Sequence, residues 1–168
     1  MGVVSKGSII MRWNRPGIPH KGWRLVDCVD IFEDAINDED TEYETCEMCQ
    51  NERIRYVHIL KHPDYPETMR VGCVCAEKMT GDYETHKEDE RRLRNRSARR
   101  RNFLKQEWHK NLKGNLVLRY KGKNVTAIER NGSYGFVYQN EWVWRYKGRR
   151  IQDLETLKLA AFELFDEE

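Results

Sequence analysis

The chain has 168 residues, of which 39% are hydrophobic and 35% charged, and its formal net charge at pH 7 is +2. This length predicts one domain, or two small domains that share a modest core. No run of about 18 apolar residues occurs, which excludes a membrane-spanning helix, and the first residues lack a signal-peptide pattern. We therefore expect a cytoplasmic protein without a membrane partner.

The small net charge conceals three charged segments, of which the first and third are basic and the second is acidic. Residues 1–24 carry five basic and no acidic residues, and residues 25–45 carry nine acidic and no basic ones. Residues 91–113 carry ten basic residues against one acidic residue. Such blocks determine which charged partners are attracted and say little about fold. We expect residues 1–45 to form an N-terminal arm that is basic and then acidic.

The segment 46–81 is predicted to form a compact hairpin module. Residues 53–60 and 68–71 have the β-branched and aromatic content of strands. Residues 75–79 begin a helical turn that ends near Gly81. Upstream of this module, residues 23–32 predict a strand.

A long polar helix and a sheet are predicted to follow. The helix, over residues 82–113, has a thin apolar stripe of Leu93, Leu104, Trp108 and Leu112 with Phe103 beside it, and Gly114 ends it. Residues 114–168 read as an antiparallel sheet with one packed helix over 153–166, for which Asp153 is the N-cap. Asn-Gly at 131–132 between apolar runs is a strong hairpin signal. The fold class is therefore α+β.

Four cysteines in two close pairs, Cys46-x2-Cys49 and Cys73-x-Cys75, enclose the predicted hairpin. Four thiolates that converge on one point favour tetrahedral, structural zinc. A knuckle, a hairpin and a second knuckle at a helix start are the arrangement of a treble-clef zinc finger. We predict structural Zn²⁺ bound by Cys46, Cys49, Cys73 and Cys75, with Cys28 as a buried apolar residue.

The Cys73-x-Cys75 pair leaves one ligand open, because a two-residue gap is commoner in such sites. His58 could replace Cys73 as a ligand, or it could be an ordinary strand histidine. His62 cannot share a metal ion with His58, because four residues of strand span about 13 Å.

Residues 46–76 resemble a group of small bacterial and phage-type proteins that are uncharacterised. The shared pattern is C-x2-C, a hairpin and V-G-x-x-C-A, here Cys46-x2-Cys49, residues 53–58 and residues 71–76. The resemblance extends to residues 93–100 and 158–162. It implies a treble-clef-like zinc-binding fold and no established activity, and position 73 need not be cysteine in this pattern.

The basic helix is the main functional candidate. Seven arginines within eleven residues could lie along a phosphate backbone and release its counterions. The same helix could instead be a solvated face, or be neutralised by the acidic segment 25–45. Pairing with the acids at 82–90 is expected to occupy only a few of the arginines. The predicted nucleic-acid contacts are Arg91, Arg92, Arg94, Arg96, Arg99, Arg100, Arg101 and Lys105.

Aromatic residues of the predicted sheet are a second candidate. Tyr134, Phe136 and Tyr138 share one strand face, and Trp142, Trp144 and Tyr146 share a face of the next strand. Most of them are expected in the core under the last helix, and the remainder could stack on bases. Basic residues near strand ends could hold phosphates: Lys121, Lys123, Arg145, Lys147, Arg149 and Arg150.

These patterns predict a zinc-containing protein that binds DNA or RNA without catalysis. One alternative is a protein-binding adaptor that uses the acidic and basic segments. Another is an HNH-like metal-dependent nuclease, which His58-x3-His62 beside the cysteines suggests. The nuclease is disfavoured because the sequence shows no Asp-His or Asn-His set for a catalytic metal. Other kinds of catalysis are disfavoured because it shows no glycine-rich phosphate loop, Ser-His-Asp set or nucleotide motif.

Overall fold

A computed structural model describes residues 12–35 and 38–167. The chain divides into two compact units, Met1–Asn95 and Arg96–Glu168. The described residues form three α-helices and antiparallel sheets, which confirms the predicted α+β class. None of the described helices is long and apolar enough to cross a membrane. The first eleven residues of the predicted basic arm, and residues 36–37 of its acidic part, lie outside the described residues.

The first unit contains a three-stranded antiparallel sheet of order β1-β2-β3. Its elements are a 3-10 turn (Arg12–Asn14), β1 (Arg24–Asp30), a second 3-10 turn (Asp38–Asp40), β2 (Tyr56–His62), β3 (Tyr65–Val71), α1 (Cys73–Thr80) and the start of α2 (Thr85–Leu104). The predicted hairpin is confirmed as β2 and β3, and its turn is tight because His62 already pairs with Tyr65. Gly81 ends α1 in the left-handed conformation, with φ of 77°, and its N–H donates to Glu77 O.

The core of the first unit includes two of the cysteines. Met48, Met69 and Met79 are fully buried, and Cys46 and Cys75 belong to the same apolar cluster. The thiols therefore lie where the hydrophobic effect holds the chain together, at the junction of β3, α1 and the segment before β2.

The long helix is shorter than predicted, because α2 ends at Leu104 and not near residue 113. After it the chain turns, and His109–Lys110 pairs with the following strand as β4. Gly114 lies in the turn between these strands, with φ of 80°, so the prediction that it ends the helix is wrong. Backbone pairing with a neighbouring strand outweighed the local helix propensity of residues 105–113.

The second unit contains a five-stranded antiparallel sheet, a small hairpin and a helix. Its elements are β4 (His109–Lys110), β5 (Leu116–Tyr120), β6 (Lys123–Arg130), β7 (Ser133–Tyr138), β8 (Glu141–Val143), β9 (Arg145–Tyr146), β10 (Arg149–Arg150) and α3 (Leu154–Asp166). The large sheet has the order β4-β5-β6-β7-β8, and β9 pairs with β10. The predicted Asn131-Gly132 hairpin is confirmed, since both residues have positive φ and Arg130 pairs with Ser133 across the turn.

Helix α3 covers one face of the large sheet. Asp153 caps it as predicted, since its carboxylate accepts the N–H of Thr156 at 2.6 Å. The core on this face includes Phe136 from β7 together with Phe162 and Phe165 from α3. We call the opposite side of the sheet, away from α3, the outer sheet face.

The end of α3 holds an ion-pair cluster whose effect on stability should depend on pH. Asp166 accepts hydrogen bonds from Arg99 Nε at 2.6 Å and from Arg96 Nε at 3.2 Å. The hydrogen bond from Arg99, with further help from Arg96, lowers the pKa of Asp166 below its ordinary value of 3.8. This contribution to stability is present above about pH 3.8 and is lost as the pH falls through the lower, folded-state pKa.

Asp166→Asn is therefore expected to lower the free energy of unfolding at pH 7 by about 1.5–3 kcal/mol, because a charged hydrogen-bond acceptor is removed. The loss should shrink as the pH falls below about 3.8. Denaturant unfolding at pH 7, 4 and 3 measures both effects. Glu167→Gln, at the exposed residue beside it, is the control, and an Asp166→Asn loss independent of pH would contradict the assignment.

Candidate functional site

Three of the four predicted zinc ligands converge in the first unit. The Sγ atoms of Cys46, Cys49 and Cys75 lie within 4.8 Å of one another, and all three thiols are free. Thiolates bound to one zinc ion at about 2.3 Å would lie roughly 3.8 Å apart. The three cysteines are therefore spaced to hold one metal ion.

Local backbone structure positions these thiols. Cys46 and Cys49 lie in a tight loop, since Glu44 and Ile54 pair with each other and the Gln50 N–H donates to Cys46 O at 2.8 Å. Cys75 lies in the first turn of α1. The loop is fastened to β3 because the N–H of Glu47 donates to the carbonyl oxygen of Arg70 at 3.0 Å.

Hydrogen bonding within the cluster favours one thiolate over the others. The hydrogen bond from Cys75 lowers the pKa of Cys46, and N–H groups of Cys49, Gly72 and Met48 lower it further against the effect of burial. The same interaction with Cys46, together with burial, raises the pKa of Cys75. Three converging thiols, two of them buried, are suited to a cation, which would take the place of their protons.

Cys73 lies in a different cluster from the other three cysteines. Its Sγ is grouped with a ring nitrogen of His58 and a carboxylate oxygen of Glu90, all within 4.8 Å of one another. The Cys73 thiol donates to Glu77 Oε1 at 3.3 Å, and burial, followed by Glu90, raises its pKa to about 12. His58, considered above as a substitute for Cys73, is thus found beside it.

Sequence reasoning missed Glu90 and His86 as members of this region. The ring of His86 is buried and its Nδ1 lies 3.1 Å from His58 Nδ1. The available signal was their spacing, since residues four apart on a helix share one face.

Most arginines of α2 have carboxylate partners. Near the start of the basic run, ion pairs of 2.8, 3.3 and 3.9 Å join Arg91 to Glu88, Arg92 to Asp89 and Arg94 to Glu90. These i,i+3 and i,i+4 pairs are individually weak, because the arginine in each is exposed to solvent. They nevertheless reduce the positive field that this half of the helix presents.

The remaining predicted contacts fall into three groups: paired, buried and exposed. Arg96 pairs with Glu163 at 2.6 Å and Arg99 with Asp166, so α3 takes up arginines that local spacing left without a partner. Arg100 is only 3% exposed. Arg101 and Lys105 are exposed. The α2 surface is therefore less basic than its composition indicates.

The outer sheet face carries two stacked tryptophans. The rings of Trp142 and Trp144 have centroids 5.6 Å apart and planes inclined by 11°, and Trp142 is 49% exposed. Trp142 pairs with Val137 across β7 and β8. A Cβ at Gly135 would lie 2.4 Å from the Trp144 ring, so only glycine allows this ring to rest on the strand.

Two arginines lie on the same face as this stack, one of them beside it. Arg119 and Arg130 are exposed on the outer sheet face, and the Arg130 guanidinium lies 6.0 Å from the centre of the Trp144 ring. Strands β4–β8 contain two carboxylates, Glu129 and Glu141. In the strand register they lie opposite Tyr134 and Tyr138 and so belong to the α3 side. The tryptophans were selected from the sequence, but both arginines were missed. The hairpin turns set the strand register, and that register puts the arginines on the outer sheet face.

No protein-family model matches the chain, and it matches no curated protein and no solved structure. Likeness to known proteins thus assigns no role to the cysteine cluster or to the outer sheet face.

Proposed function

We propose that this is a zinc-containing protein that binds nucleic acid without catalysis. A treble-clef-like module stabilises the first unit, and the outer sheet face of the second unit contacts single-stranded nucleic acid. The observation that carries this proposal is the stack of Trp144 and the half-exposed Trp142 beside the exposed Arg130, with the strand carboxylates on the opposite face.

Stacking and charge on this face suit an unpaired strand. An indole ring offers its π-face to any base, at about 1–3 kcal/mol per stacked base. Bases in a duplex are already stacked on each other, so a flat aromatic surface favours single strands. Arg119 and Arg130 are placed to meet the phosphates between such bases.

The zinc proposal follows from the donor set. Three thiolates are soft ligands that favour zinc over magnesium or calcium. The loop of Cys46 and Cys49, the β2–β3 hairpin and Cys75 in the first turn of α1 follow the order of a treble clef. Such an ion would join the two ends of the hairpin and would have no direct part in binding.

The helix arginines support the proposal less than the sheet does. A phosphate that approaches Arg91, Arg92 or Arg94 must compete with a carboxylate already within 4 Å. Arg101 and Lys105 remain exposed and can add a sequence-independent contribution. A nuclease reading gains nothing from His58, which is fully buried and so closed to a phosphodiester.

Trp142→Ala is expected to weaken binding of single-stranded DNA or RNA about 5- to 150-fold, which corresponds to the loss of about 1–3 kcal/mol of stacking. Fluorescence anisotropy with labelled oligonucleotides, single- and double-stranded, measures this at several salt concentrations. Replacing both Arg119 and Arg130 with Ala should reduce the slope of log K against log salt by about 1.4.

Tyr83→Ala is the matched control, since Tyr83 is an aromatic residue of similar exposure in the first unit. It should bind like the unaltered protein. Equal losses in the Tyr83 and Trp142 variants would contradict a stacking role. Absence of binding to every oligonucleotide would refute the proposal and favour the protein-binding adaptor.

A further inference from the structure

His58, Cys73 and Glu90 bring three different ligand types together within the first unit. They come from β2, the first residue of α1 and the second turn of α2, and their ligand atoms lie within 4.8 Å of one another. His58 is fully buried, and its Nε2 lies 3.1 Å from Glu90 Oε1. A buried nitrogen, a thiol and a carboxylate are thus assembled by parts of the chain distant in sequence.

With the Thr80 hydroxyl assigned as the donor to Ala76 O, a chain of hydrogen bonds assigns one tautomer to His58. The Thr80 hydroxyl donates to Ala76 O at 2.8 Å, so its oxygen accepts the Nε2–H of His86 at 2.7 Å. His86 Nδ1 is then an acceptor, and His58 Nδ1, at 3.1 Å, must donate to it. The neutral His58 ring therefore carries its lone pair on Nε2.

This lone pair faces a second acceptor, the Glu90 carboxylate oxygen at 3.1 Å, and lies 3.8 Å from the buried Cys28 Sγ. Two acceptors at 3.1 Å need a proton or a cation to join them. Histidines that bind metals ordinarily have the other ring N–H held by a hydrogen bond, which is the arrangement His86 provides here. The Cys73 thiol adds a third ligand on the same side.

We propose that His58 Nε2, Cys73 Sγ and the Glu90 carboxylate form a second site for a divalent transition-metal ion, separate from the three-cysteine site. Mixed nitrogen, sulfur and oxygen ligands are typical of zinc, and two anionic ligands neutralise its charge. Cys73 and Glu90 line a cavity of about 340 Å³ that the three clustered cysteines also line. Three protein ligands leave one coordination position for water or an exogenous group.

The competing arrangement is the four-cysteine site, in which the Cys73 side chain turns to the other three thiols. All four thiolates then bind a single ion, and Glu90 has no ligand role. The two arrangements differ in the number of ions bound per chain and in their dependence on Glu90. This difference does not involve nucleic acid, so the second site stands or falls independently of the proposed function.

Zinc counting on the full chain tests the second site. The protein is saturated with Zn²⁺, freed of excess metal and analysed by native mass spectrometry, with folding checked by circular dichroism. The unaltered chain should bind two ions, and Glu90→Gln and Cys73→Ser should each bind one. Glu88→Gln, an exposed carboxylate on the same helix, is the matched control and should keep two.

Each other outcome overturns the second site. One ion in the unaltered chain would mean that a proton joins His58 to Glu90 or that Cys73 completes the four-cysteine site. Two ions in Glu90→Gln would remove Glu90 from the ligand set. Co²⁺ substitution gives an independent readout, since the thiolate-to-cobalt absorption of the folded Glu90→Gln variant should fall because Cys73 no longer binds an ion.

Discussion

Cys49→Ser is expected to unfold the first unit and to leave the sheet and α3 of the second unit folded. Binding of a structural zinc ion contributes about 10–16 kcal/mol in small zinc domains. This exceeds or equals the net stability of an ordinary domain, about 5–15 kcal/mol. Cys46 and Cys75 lie in the same core as Met48 and Met79. Loss of the ion therefore leaves their sulfur groups buried among apolar side chains without the ligand that satisfied them.

Hydrogen exchange resolved by peptide measures this outcome. Protection should disappear from β2, β3 and α1 and persist in β5, β6 and β7, because the two units have separate cores. A strong chelator added to the unaltered protein should reproduce the pattern. Cys28→Ser, which removes a thiol outside the three-cysteine cluster, should leave this ion bound. A Cys49→Ser variant with full protection would remove the structural role of the metal.

The convergence of Cys46, Cys49 and Cys75 could be predicted from spacing, whereas the position of Cys73 could not be predicted from spacing alone. Cys73 is the first residue of α1. Residues two apart on a helix point about 200° apart around its axis. When Cys75 faces the loop of the first pair, Cys73 therefore faces the other way, towards β2 and α2. A C-x-C pair on a helix does not direct both thiols to one point.

The function of the basic helix was harder to predict for a related reason. Periodicity reveals the pairs within α2, such as Arg91 with Glu88, but not partners that approach from α3. Asp166 lies some seventy residues from Arg96 in sequence. Long-range pairing of this kind depends on the packing of elements, which a single sequence does not specify.

The apolar stripe of the same helix was also misassigned. The predicted stripe included Leu112, which lies beyond the end of the helix and is fully exposed. Phe103, placed beside the stripe, is instead fully buried. The error follows from the predicted helix length. The helix ends at Leu104, so helical spacing does not describe which side chains share a face after that residue.

Phe103→Ala should consequently destabilise the second unit by about 3–5 kcal/mol, the usual cost of deleting a buried aromatic ring. The ring centre lies 5.0 Å from that of Tyr120, 5.5 Å from Phe165 and 5.7 Å from Phe162. Its removal leaves a cavity among three other rings and loses their edge and face contacts. Because it links α2 to both β5 and α3, its loss should loosen the end of α2 first.

Leu112→Ala provides the decisive comparison with Phe103→Ala, because Leu112 and Phe103 were assigned to the same apolar side of the predicted helix. An exposed leucine contributes little, so its change should stay within about 0.5 kcal/mol. Denaturant unfolding of the full chain, followed by the exchange protection of β5, β6 and β7, measures the second unit separately. Equal losses of unfolding free energy in the two variants would support the predicted helix over residues 82–113. They would contradict the assignment of Phe103, and not Leu112, to the core of the second unit. A large loss for Phe103 alone would establish that α2 belongs to this core through a single aromatic anchor.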